Sequence, residues 1–210
     1  MFDLYLITAE LEPAAIMDKL SAALAGAAPG RVAVQLRAPQ LVAADRRRLA
    51  RTLRELTARA GAPLLINADV ALALEVGADG VQLPERGPSI EHARAQLPST
   101  AAIGASRHDR DGVQSAARSG ATFVTLSPVY GVPGKGEPLG ADGFGAIARA
   151  SSLPVLALGG LTAARVAAVV REGAHGVAVI REIWDSPQPE LALRALLAAI
   201  DAARGRERAR

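Results

Sequence analysis

Short apolar runs alternate with longer amphipathic stretches along almost the whole chain. The apolar runs are rich in Val, Leu, Ile and Ala and predict buried strands over residues 3–8, 31–36, 63–66, 80–83, 101–105, 123–126, 155–158 and 176–180. Helical periodicity follows each run, over residues 13–27, 42–60, 69–76, 89–96, 109–119, 143–150, 162–172 and 189–204. Eight strands that are each followed by a helix predict an α/β fold of the (β/α)8 TIM-barrel type rather than a doubly wound sheet.

One unit of this alternation, residues 153–184, carries a candidate ligand site. Its apolar run stops at Gly159-Gly160, Thr162 is a good helix N-cap, and Gly173 ends the helix before the next buried run. An anion can approach backbone N–H groups closely where no Cβ is present, and the loops after the last two strands of such barrels commonly hold a phosphate. Gly159 and Gly160 are therefore interpreted either as part of a phosphate site or as a tight turn alone.

A Gly-Ala pair recurs where a helix ends and a strand begins. It is found at Gly77-Ala78, Gly120-Ala121 and Gly173-Ala174, and this recurrence favours repeated βα units over simple helix-capping chemistry. No linker or low-complexity segment interrupts the pattern. We therefore expect a single barrel domain over residues 1–203, followed by a basic C-terminal tail, residues 204–210, that is solvated and frayed.

Composition excludes several classes of protein. The chain has 210 residues, is 50% hydrophobic and is only 3% aromatic, so its core is expected to consist of Ala, Val, Leu and Ile. It has no cysteine, which excludes disulfides, thiolate metal sites and a cysteine nucleophile. The first predicted strand begins at once without a signal peptide, and no apolar run is long enough to span a membrane, so a cytoplasmic protein is expected. A net charge of only +3 and the lack of aromatic stacking platforms argue against a nucleic-acid partner.

Function in a barrel of this type is expected just after the strands, where few polar residues occur. These residues are Gln35, Arg37, Asn67, Asp69, Gln82, Glu85, Ser106, His108, Ser127, Tyr130 and Lys135. Lys135 is one of two lysines and lies in the longest Gly/Pro-rich segment, residues 128–140, which predicts a mobile loop over the barrel mouth. Lys135 is interpreted either as a point charge for a phosphate or carboxylate or as a solvated loop residue.

In their order along the chain, these motifs resemble the thiamine phosphate synthase/TenI family of barrels. The resemblance extends from residue 4 to the helix after Trp184 and is carried by residues 34–37, 66–67, 79–84, 103–108, 127–130, 158–160 and 173–180. It implies a small-molecule thiazole phosphate as ligand. It also implies that Gly159, Gly160, Val179 and Ile180 bind the phosphate of that ligand.

The chain departs from the synthase pattern at positions that matter for chemistry. The synthases of this family join a pyrimidine pyrophosphate to the thiazole, expel pyrophosphate and need Mg²⁺. After strand two, this chain has Pro39 where the synthases have a lysine. After strands three and four, it has Ala68 and Arg86-Gly87 where they have metal-binding aspartates. After strand six, it has Val132 and Gly134 where they have threonines. The loss of two hard oxygen ligands predicts that no metal is bound. Asp69 and Glu85 are the substitute ligands if the chain is nevertheless a synthase, and Mg²⁺ would be required in that case.

The sequence is more similar to the TenI-type thiazole tautomerases, which lack those metal ligands. Such enzymes move a proton with an acid/base pair, without metal or other cofactor. The histidine associated with this chemistry after strand six is replaced by Pro128, so His108 is the predicted catalytic residue, with capping of the next helix as its alternative role. The predicted substrate-binding residues are Gln35, Arg37, Asn67, Ser106 and Lys135.

Two other functions stay open beside the tautomerase. One is a working thiamine phosphate synthase with a displaced metal site, and the other is a non-catalytic relative that binds thiazole phosphate. The sequence is compatible with a monomer and with a homodimer.

Overall fold

The C-terminal ends of eight parallel strands meet at one rim of a closed barrel. The computed structural model describes the fold of residues 1–208, with strand order β1 to β8 and β8 paired back onto β1. The strands are β1 (Leu4–Ile7), β2 (Val32–Leu36), β3 (Leu64–Asn67), β4 (Gly80–Leu83), β5 (Ala102–Arg107), β6 (Phe123–Leu126), β7 (Val155–Leu158) and β8 (Gly176–Val179). The predicted (β/α)8 barrel and its single domain are confirmed.

Helices return the chain from the C-terminal rim to the start of the next strand. They are α1 (Pro13–Leu24), α2 (Ala43–Arg59), α3 (Val70–Val76), α4 (Ile90–Gln96), α5 (Arg110–Arg118), α6 (Gly140–Ala148), α7 (Ala163–Arg171), α8 (Arg181–Trp184) and α9 (Pro189–Arg208). Among the described residues, no helix has the length and apolar character needed to cross a lipid bilayer.

The one-turn helix α8 was not predicted from the sequence. Its Trp184 donates an indole hydrogen bond to the backbone oxygen of Ile7 at 2.6 Å, and Lys19 Nζ donates to the backbone oxygens of Trp184 and Ser186. A single turn is too short to show helical periodicity, so tertiary contacts of this kind stabilise it. One of the two lysines is thereby engaged in holding α8 against α1.

The C-terminal helix continues beyond the predicted end of the domain. Because α9 runs to Arg208, the boundary predicted between residues 203 and 204 lies inside a helix. Arg204 donates to Asp3 Oδ1 at 2.6 Å and also to the backbone oxygen of His175. The prediction of a solvated, frayed residue is therefore wrong at Arg204, since a tertiary ion pair orders it. The side chains of residues 206–210 lie outside the described residues.

The hydrophobic core has two parts. The larger part lies between the sheet and the helices and consists mostly of Val, Leu, Ile and Ala, as predicted. The smaller part fills the barrel itself, where Phe2, Tyr5 and Phe123 pack with their ring centroids 5.2, 5.3 and 5.6 Å apart. The expectation of a core without aromatic rings is wrong there. Neighbouring strand positions such as Ala33 and Ala178 are small, so rings are needed to fill the volume.

Asp3 joins the first strand to the last helix at the N-terminal rim. Its carboxylate accepts hydrogen bonds from Arg31 Nε at 2.7 Å and from Arg204 Nη1 at 2.6 Å, and its side chain is only 15% exposed. Burial raises the pKa of this carboxyl, but the hydrogen bonds from Arg204 and Arg31 outweigh burial and hold the pKa below its ordinary value of 3.8. The ionised form of Asp3 therefore stabilises the folded barrel.

We expect Asp3→Asn to lower the free energy of unfolding at pH 7 by about 1–3 kcal/mol, because two charge-assisted hydrogen bonds are lost. The pKa of Asp3 is depressed in the folded state, so its contribution is fully present above the unfolded-state pKa and is lost as the pH falls through the folded-state pKa. The difference between wild type and variant in urea unfolding should consequently shrink at acid pH. Asp201→Asn removes an exposed partner of Arg31 and serves as the control with a small effect. Equal stability of Asp3→Asn and wild type at pH 7 would contradict this role.

Candidate active site

A cavity of about 900 Å³ opens at the C-terminal rim of the barrel. All ten residues predicted to form the site line it: Gln35, Arg37, Asn67, Ser106, His108, Lys135, Gly159, Gly160, Val179 and Ile180. They come from the ends of five strands and from the loop after β6, so only barrel closure brings them together. Their roles in binding and catalysis stay predictions.

Buried amides and hydroxyls form the floor of the cavity. Gln82 Nε2 donates to Ser106 Oγ at 3.0 Å and lies 3.2 Å from Thr125 Oγ1. Gln82 and Thr125 are almost fully buried, and Gln82 Oε1 has no hydrogen-bond partner within the described chain. A Cβ on Gly104 would lie 2.2 Å from that oxygen, so glycine is required beneath the Gln82 side chain. A second pair, Gln35 and Asn67, is joined at 3.2 Å and extends this polar floor.

The position of Arg37 is fixed by its backbone. The buried Thr8 hydroxyl donates to the backbone oxygen of Arg37 and accepts from its backbone N–H, both at 2.8 Å. The Arg37 side chain is 44% exposed and its Nη1 lies 3.5 Å from Glu10 Oε1, a long contact that leaves most of the guanidinium donors available to a ligand. Arg37 is thus a cation on a fixed backbone at the mouth of the cavity.

His108 lies at the end of β5 with a defined ring orientation. Its Nδ1 is 2.6 Å from the backbone oxygen of Ser127. A carbonyl oxygen can only accept, so Nδ1 carries the hydrogen, and Nε2 accepts a proton when the ring is neutral. His108 is not the cap of α5, because Asp109 fills that role by accepting from the backbone N–H of Gly112 at 2.7 Å. The alternative capping role for His108 is therefore wrong.

Unpaired backbone donors surround the glycine pair after β7. Within residues 1–208, the N–H groups of Gly159, Gly160, Leu161 and Ile180 make no hydrogen bond to a protein acceptor. Converging N–H groups of this kind form an anion-binding concavity, which we call the phosphate cup, residues 159–161 and 179–180. The arrangement agrees with a phosphate site and goes beyond what a tight turn requires.

The two cup glycines are needed for a reason that the sequence did not indicate. Both have positive φ, +103° at Gly159 and +62° at Gly160. A Cβ on Gly159 would lie 3.0 Å from Pro128 Cα, and one on Gly160 would lie 2.8 Å from Tyr130 Cβ. The missing Cβ atoms therefore make room for the chain after β6 rather than for the anion itself.

Charged residues that the sequence analysis did not select also line the cavity. They are Arg165 on α7, Arg181 and Glu182 on α8, and Asp185 just after α8. The buried Thr125 was missed as well, although a polar residue within an apolar strand is a usable signal. The first turn of a helix that follows a barrel strand lies near the C-terminal rim, and this rule would have indicated the charged residues on α7 and α8.

Electrostatics in the cavity favour anions. Arg37, Lys135, Arg165 and Arg181 line it, against the carboxylates of Glu85, Glu182 and Asp185. Glu182 accepts a hydrogen bond from the backbone N–H of Ala163 at 3.3 Å, so one carboxylate is engaged by the start of α7. Beside the cavity, burial lowers the pKa of Arg107, although attraction to Glu85 and Asp109 partly offsets that effect.

The described residues do not fit a protein-held magnesium ion. No group of three His, Cys, Asp or Glu side chains within them is close enough to ligate a metal. Asp69, one predicted substitute ligand, caps α3 by accepting from the backbone N–H of Leu72 at 2.9 Å, and Arg46 lies 3.8 Å away. Glu85 lines the cavity without a second carboxylate from β3 beside it. Mg²⁺ sites usually combine one or two carboxylates with substrate phosphates, so the protein alone supplies too few donors here.

Ala68 holds an unusual backbone conformation at this rim. Its φ is +58°, and no other non-glycine residue among those described has a positive φ. Asn and Asp tolerate this region far better than alanine, which is disfavoured there by about 1 kcal/mol. A backbone shape suited to Asp or Asn is thus occupied by a residue that cannot ligate a metal.

Comparisons with known proteins agree with one another. The family described as thiamine monophosphate synthase matches residues 4–183. A Geobacter sulfurreducens protein provisionally named thiamine-phosphate synthase is 44% identical over 202 residues, covering 95% of this chain and 94% of the relative. The thiamine-phosphate synthase of Natronomonas pharaonis is 37% identical over 207 residues, covering 95% of each chain. The solved thiamine phosphate pyrophosphorylase of Pyrococcus furiosus superposes with a TM-score of 0.86 at 28% identity, covering 96% of both chains.

Gly159→Ala should weaken thiazole phosphate binding about tenfold or more, because the new Cβ displaces the chain beside the phosphate cup and misaligns its N–H donors. Gly30→Ala is the matched control, since Gly30 also has positive φ (+77°) but has open space around its Cβ position at the other end of the barrel. Isothermal titration calorimetry measures the affinity of each variant, and thermal unfolding shows whether both remain folded. Equal affinities for the two variants would exclude this role of the glycine pair.

Proposed function

We propose, from the premise that this chain belongs to the thiamine monophosphate synthase family, that it joins a pyrimidine pyrophosphate to a thiazole phosphate to form thiamine phosphate. The observation that carries the proposal is the agreement of near-full-length relatives that are named thiamine-phosphate synthase. The comparisons therefore support the synthase better than the tautomerase that the sequence analysis placed first. In the reaction, the bond to the pyrophosphate oxygen breaks as the new bond to the thiazole forms.

The size and charge of the cavity support two anionic substrates. Ligand pockets in proteins measure roughly 300–1,000 Å³, and a cavity of about 900 Å³ lies near the upper end of that range, which suits two small ring compounds better than one. The phosphate cup offers backbone donors to the thiazole phosphate. Arg37 and Lys135, which were predicted to bind substrate, line the same cavity, and the proposal assigns them to the pyrophosphate. Cations held in place before the reaction stabilise the negative charge that develops on a leaving group.

The floor of the cavity offers directional contacts to a heteroaromatic ring. The Gln35–Asn67 pair and the Gln82–Ser106–Thr125 cluster present amide and hydroxyl groups, which can donate to and accept from ring nitrogens and an amino group. Gln35, Gln82 and Thr125 are buried, which reduces competition from water for those contacts. The proposal assigns no resident cofactor to the protein.

Purified protein is expected to convert the pyrimidine pyrophosphate and thiazole phosphate into thiamine phosphate and an equal amount of pyrophosphate. Arg37→Gln should lower kcat/KM about tenfold or more, because a charge-assisted contact to the leaving group is lost. Arg118→Gln removes an exposed arginine at the C-terminal end of α5, near the opposite rim, and should behave like wild type. Both assays are run with and without a chelator, which measures whether turnover needs a divalent cation.

Absence of thiamine phosphate under all of these conditions would reject the synthase. If thiazole phosphate nevertheless binds, and neither synthase nor tautomerase turnover is found, the chain is a binding protein rather than an enzyme.

A TenI-type thiazole tautomerase is the second candidate, and two observations favour it. Ala68 and Gly87 stand where the synthase pattern has metal-binding aspartates. His108 also lines the cavity with Nδ1 held by Ser127, which leaves Nε2 available for proton transfer.

If the tautomerase function holds, His108→Ala should reduce turnover of the thiazole carboxylate phosphate by roughly 10²-fold with little change in binding. His92→Ala, on the outside of the barrel in α4, is the control. Chelator should have no effect on this reaction, since no metal takes part in it. Near-normal turnover in His108→Ala would assign the proton transfer to another group, such as Tyr130 or a water molecule.

A further inference from the structure

The chain after β6 forms a flap over the cavity, which we define as residues 130–139. Its two ends are pinned together, because Leu139 N–H donates to the Pro128 oxygen at 3.0 Å and Gly140 N–H donates to the Val129 oxygen at 2.9 Å. Residues 133–138 are exposed, and Lys135 lines the cavity from this flap. The flap is thus a closed loop with a fixed base and a cationic side chain near its tip.

The base of the flap is attached directly to the phosphate cup. Tyr130 N–H donates to the Gly159 oxygen at 3.1 Å, and Val129 N–H donates to the Leu158 oxygen at 2.9 Å. The Cβ position of Gly160 lies 2.8 Å from Tyr130 Cβ, which leaves no free space between the two segments. A movement of the cup backbone is therefore transmitted to the first residue of the flap.

Arg165 contacts both partners at this junction. Its Nη1 donates to the Gly160 oxygen at 2.8 Å, and its guanidinium carbon lies 4.8 Å from the centroid of the Tyr130 ring. A planar guanidinium can donate in its plane while its face lies on an aromatic ring, whereas a lysine ammonium lacks this combination. Because a trans peptide places N–H opposite C=O, the bond to Gly160 also sets the direction of the unpaired Leu161 N–H in the cup.

We propose that Arg165 is a positioning residue that couples anion binding in the phosphate cup to closure of the flap over the cavity. The coupling rests on the proposed function, in which the cup takes the phosphate of a substrate. An anion bound by Leu161 N–H and the neighbouring donors holds the cup backbone in one geometry. Arg165 then fixes the position of Tyr130 relative to the cup. This places Lys135 over the second substrate. Such coupling is reciprocal, so a closed flap also strengthens anion binding.

The two lysines of the chain make the state of the flap directly measurable. A lysine-specific endoprotease can cut at Lys19 or Lys135 and nowhere else. Lys19 lies in α1 with its Nζ bonded to the backbone of Trp184 and Ser186, so cleavage there reports global unfolding. Cleavage at Lys135 under native conditions reports opening of the flap, because exposed loops are cut from locally open states.

Cleavage at Lys135 is followed with and without inorganic phosphate in wild type and Arg165→Gln. We expect phosphate to slow cleavage of wild type about fivefold. Arg165→Gln should be cut about fivefold faster without phosphate, as expected for loss of a cation–π contact and one hydrogen bond, and should show little protection by phosphate. Arg165→Lys should not restore protection, which separates positioning from attraction by charge alone. Arg171 is on the same helix, but its Nε donates to the backbone oxygen of Ala167 within that helix. Arg171→Gln should therefore match wild type.

The aromatic partner is tested in the same way. Tyr130→Phe keeps the ring and should match wild type, whereas Tyr130→Leu should resemble Arg165→Gln. The double variant Arg165→Gln/Tyr130→Leu should be no worse than the more affected single variant, because both remove one shared contact. Wild-type rates and full phosphate protection in Arg165→Gln would overturn the proposal.

Calorimetry separates failure of this coupling from failure of the proposed function. Binding of thiazole phosphate to wild type without any protection of Lys135 would overturn the coupling and leave the function intact. If wild type binds neither inorganic phosphate nor thiazole phosphate, the proposed function fails, and the coupling fails with it.

Discussion

Backbone pairing between β1 and β8 joins the first strand of the chain to the last and closes the barrel. Leu4 lies opposite Val177 and Leu6 opposite Val179, and Val177 N–H donates to the Asp3 oxygen just before β1. Because all the strands are parallel, closure brings every C-terminal end to one rim. Residues from the ends of β2 and β8 meet across the same cavity for this reason alone. The ion pairs of Asp3 with Arg31 and Arg204 lie at the other rim, where they reinforce the same junction.

The proposed phosphate site consists largely of backbone groups. The phosphate cup presents N–H donors from positions occupied by Gly, Leu and Ile, which carry no polar side chain. Such donors cannot ionise and cost little conformational entropy to hold in place, so they select an anion by geometry. Side-chain cations such as Arg37 and Lys135 then add charge at the mouth of the cavity. The glycines serve the packing of cup against flap, and this packing produces the backbone shape in which the unpaired N–H groups converge.

The chain belongs to the synthase family and keeps its barrel fold, although it departs from the synthase sequence pattern at several positions. At Ala68 the backbone keeps a left-handed conformation that suits Asp or Asn, while the side chain offers no ligand. Asp69, the next carboxylate along the chain, is engaged as the cap of α3. In the proposed synthase reaction, Arg37 and Lys135 of this cavity are therefore assigned to the charge of the pyrophosphate leaving group. Membership of the family thus supports the proposed reaction class. The substitution at Ala68 concerns how the negative charge of the pyrophosphate is neutralised in that proposal.

The sequence by itself determined the barrel and the general location of the site. Strand and helix periodicity are local properties, and parallel strands place all strand ends at one rim. The polar residues after the strands therefore supplied six of the ten predicted residues that line the cavity, whereas the glycine pair and the family resemblance supplied the other four. The tertiary structure alone decided which atoms of those residues are available. His108 is free of the capping role because Asp109 takes it, Arg204 is ordered because Asp3 accepts a hydrogen bond from it, and Arg165 reaches Gly160 and Tyr130 from a separate helix. The outcomes at Arg204 and Arg165 depend on distances between segments far apart in the chain, and no periodic pattern encodes such distances.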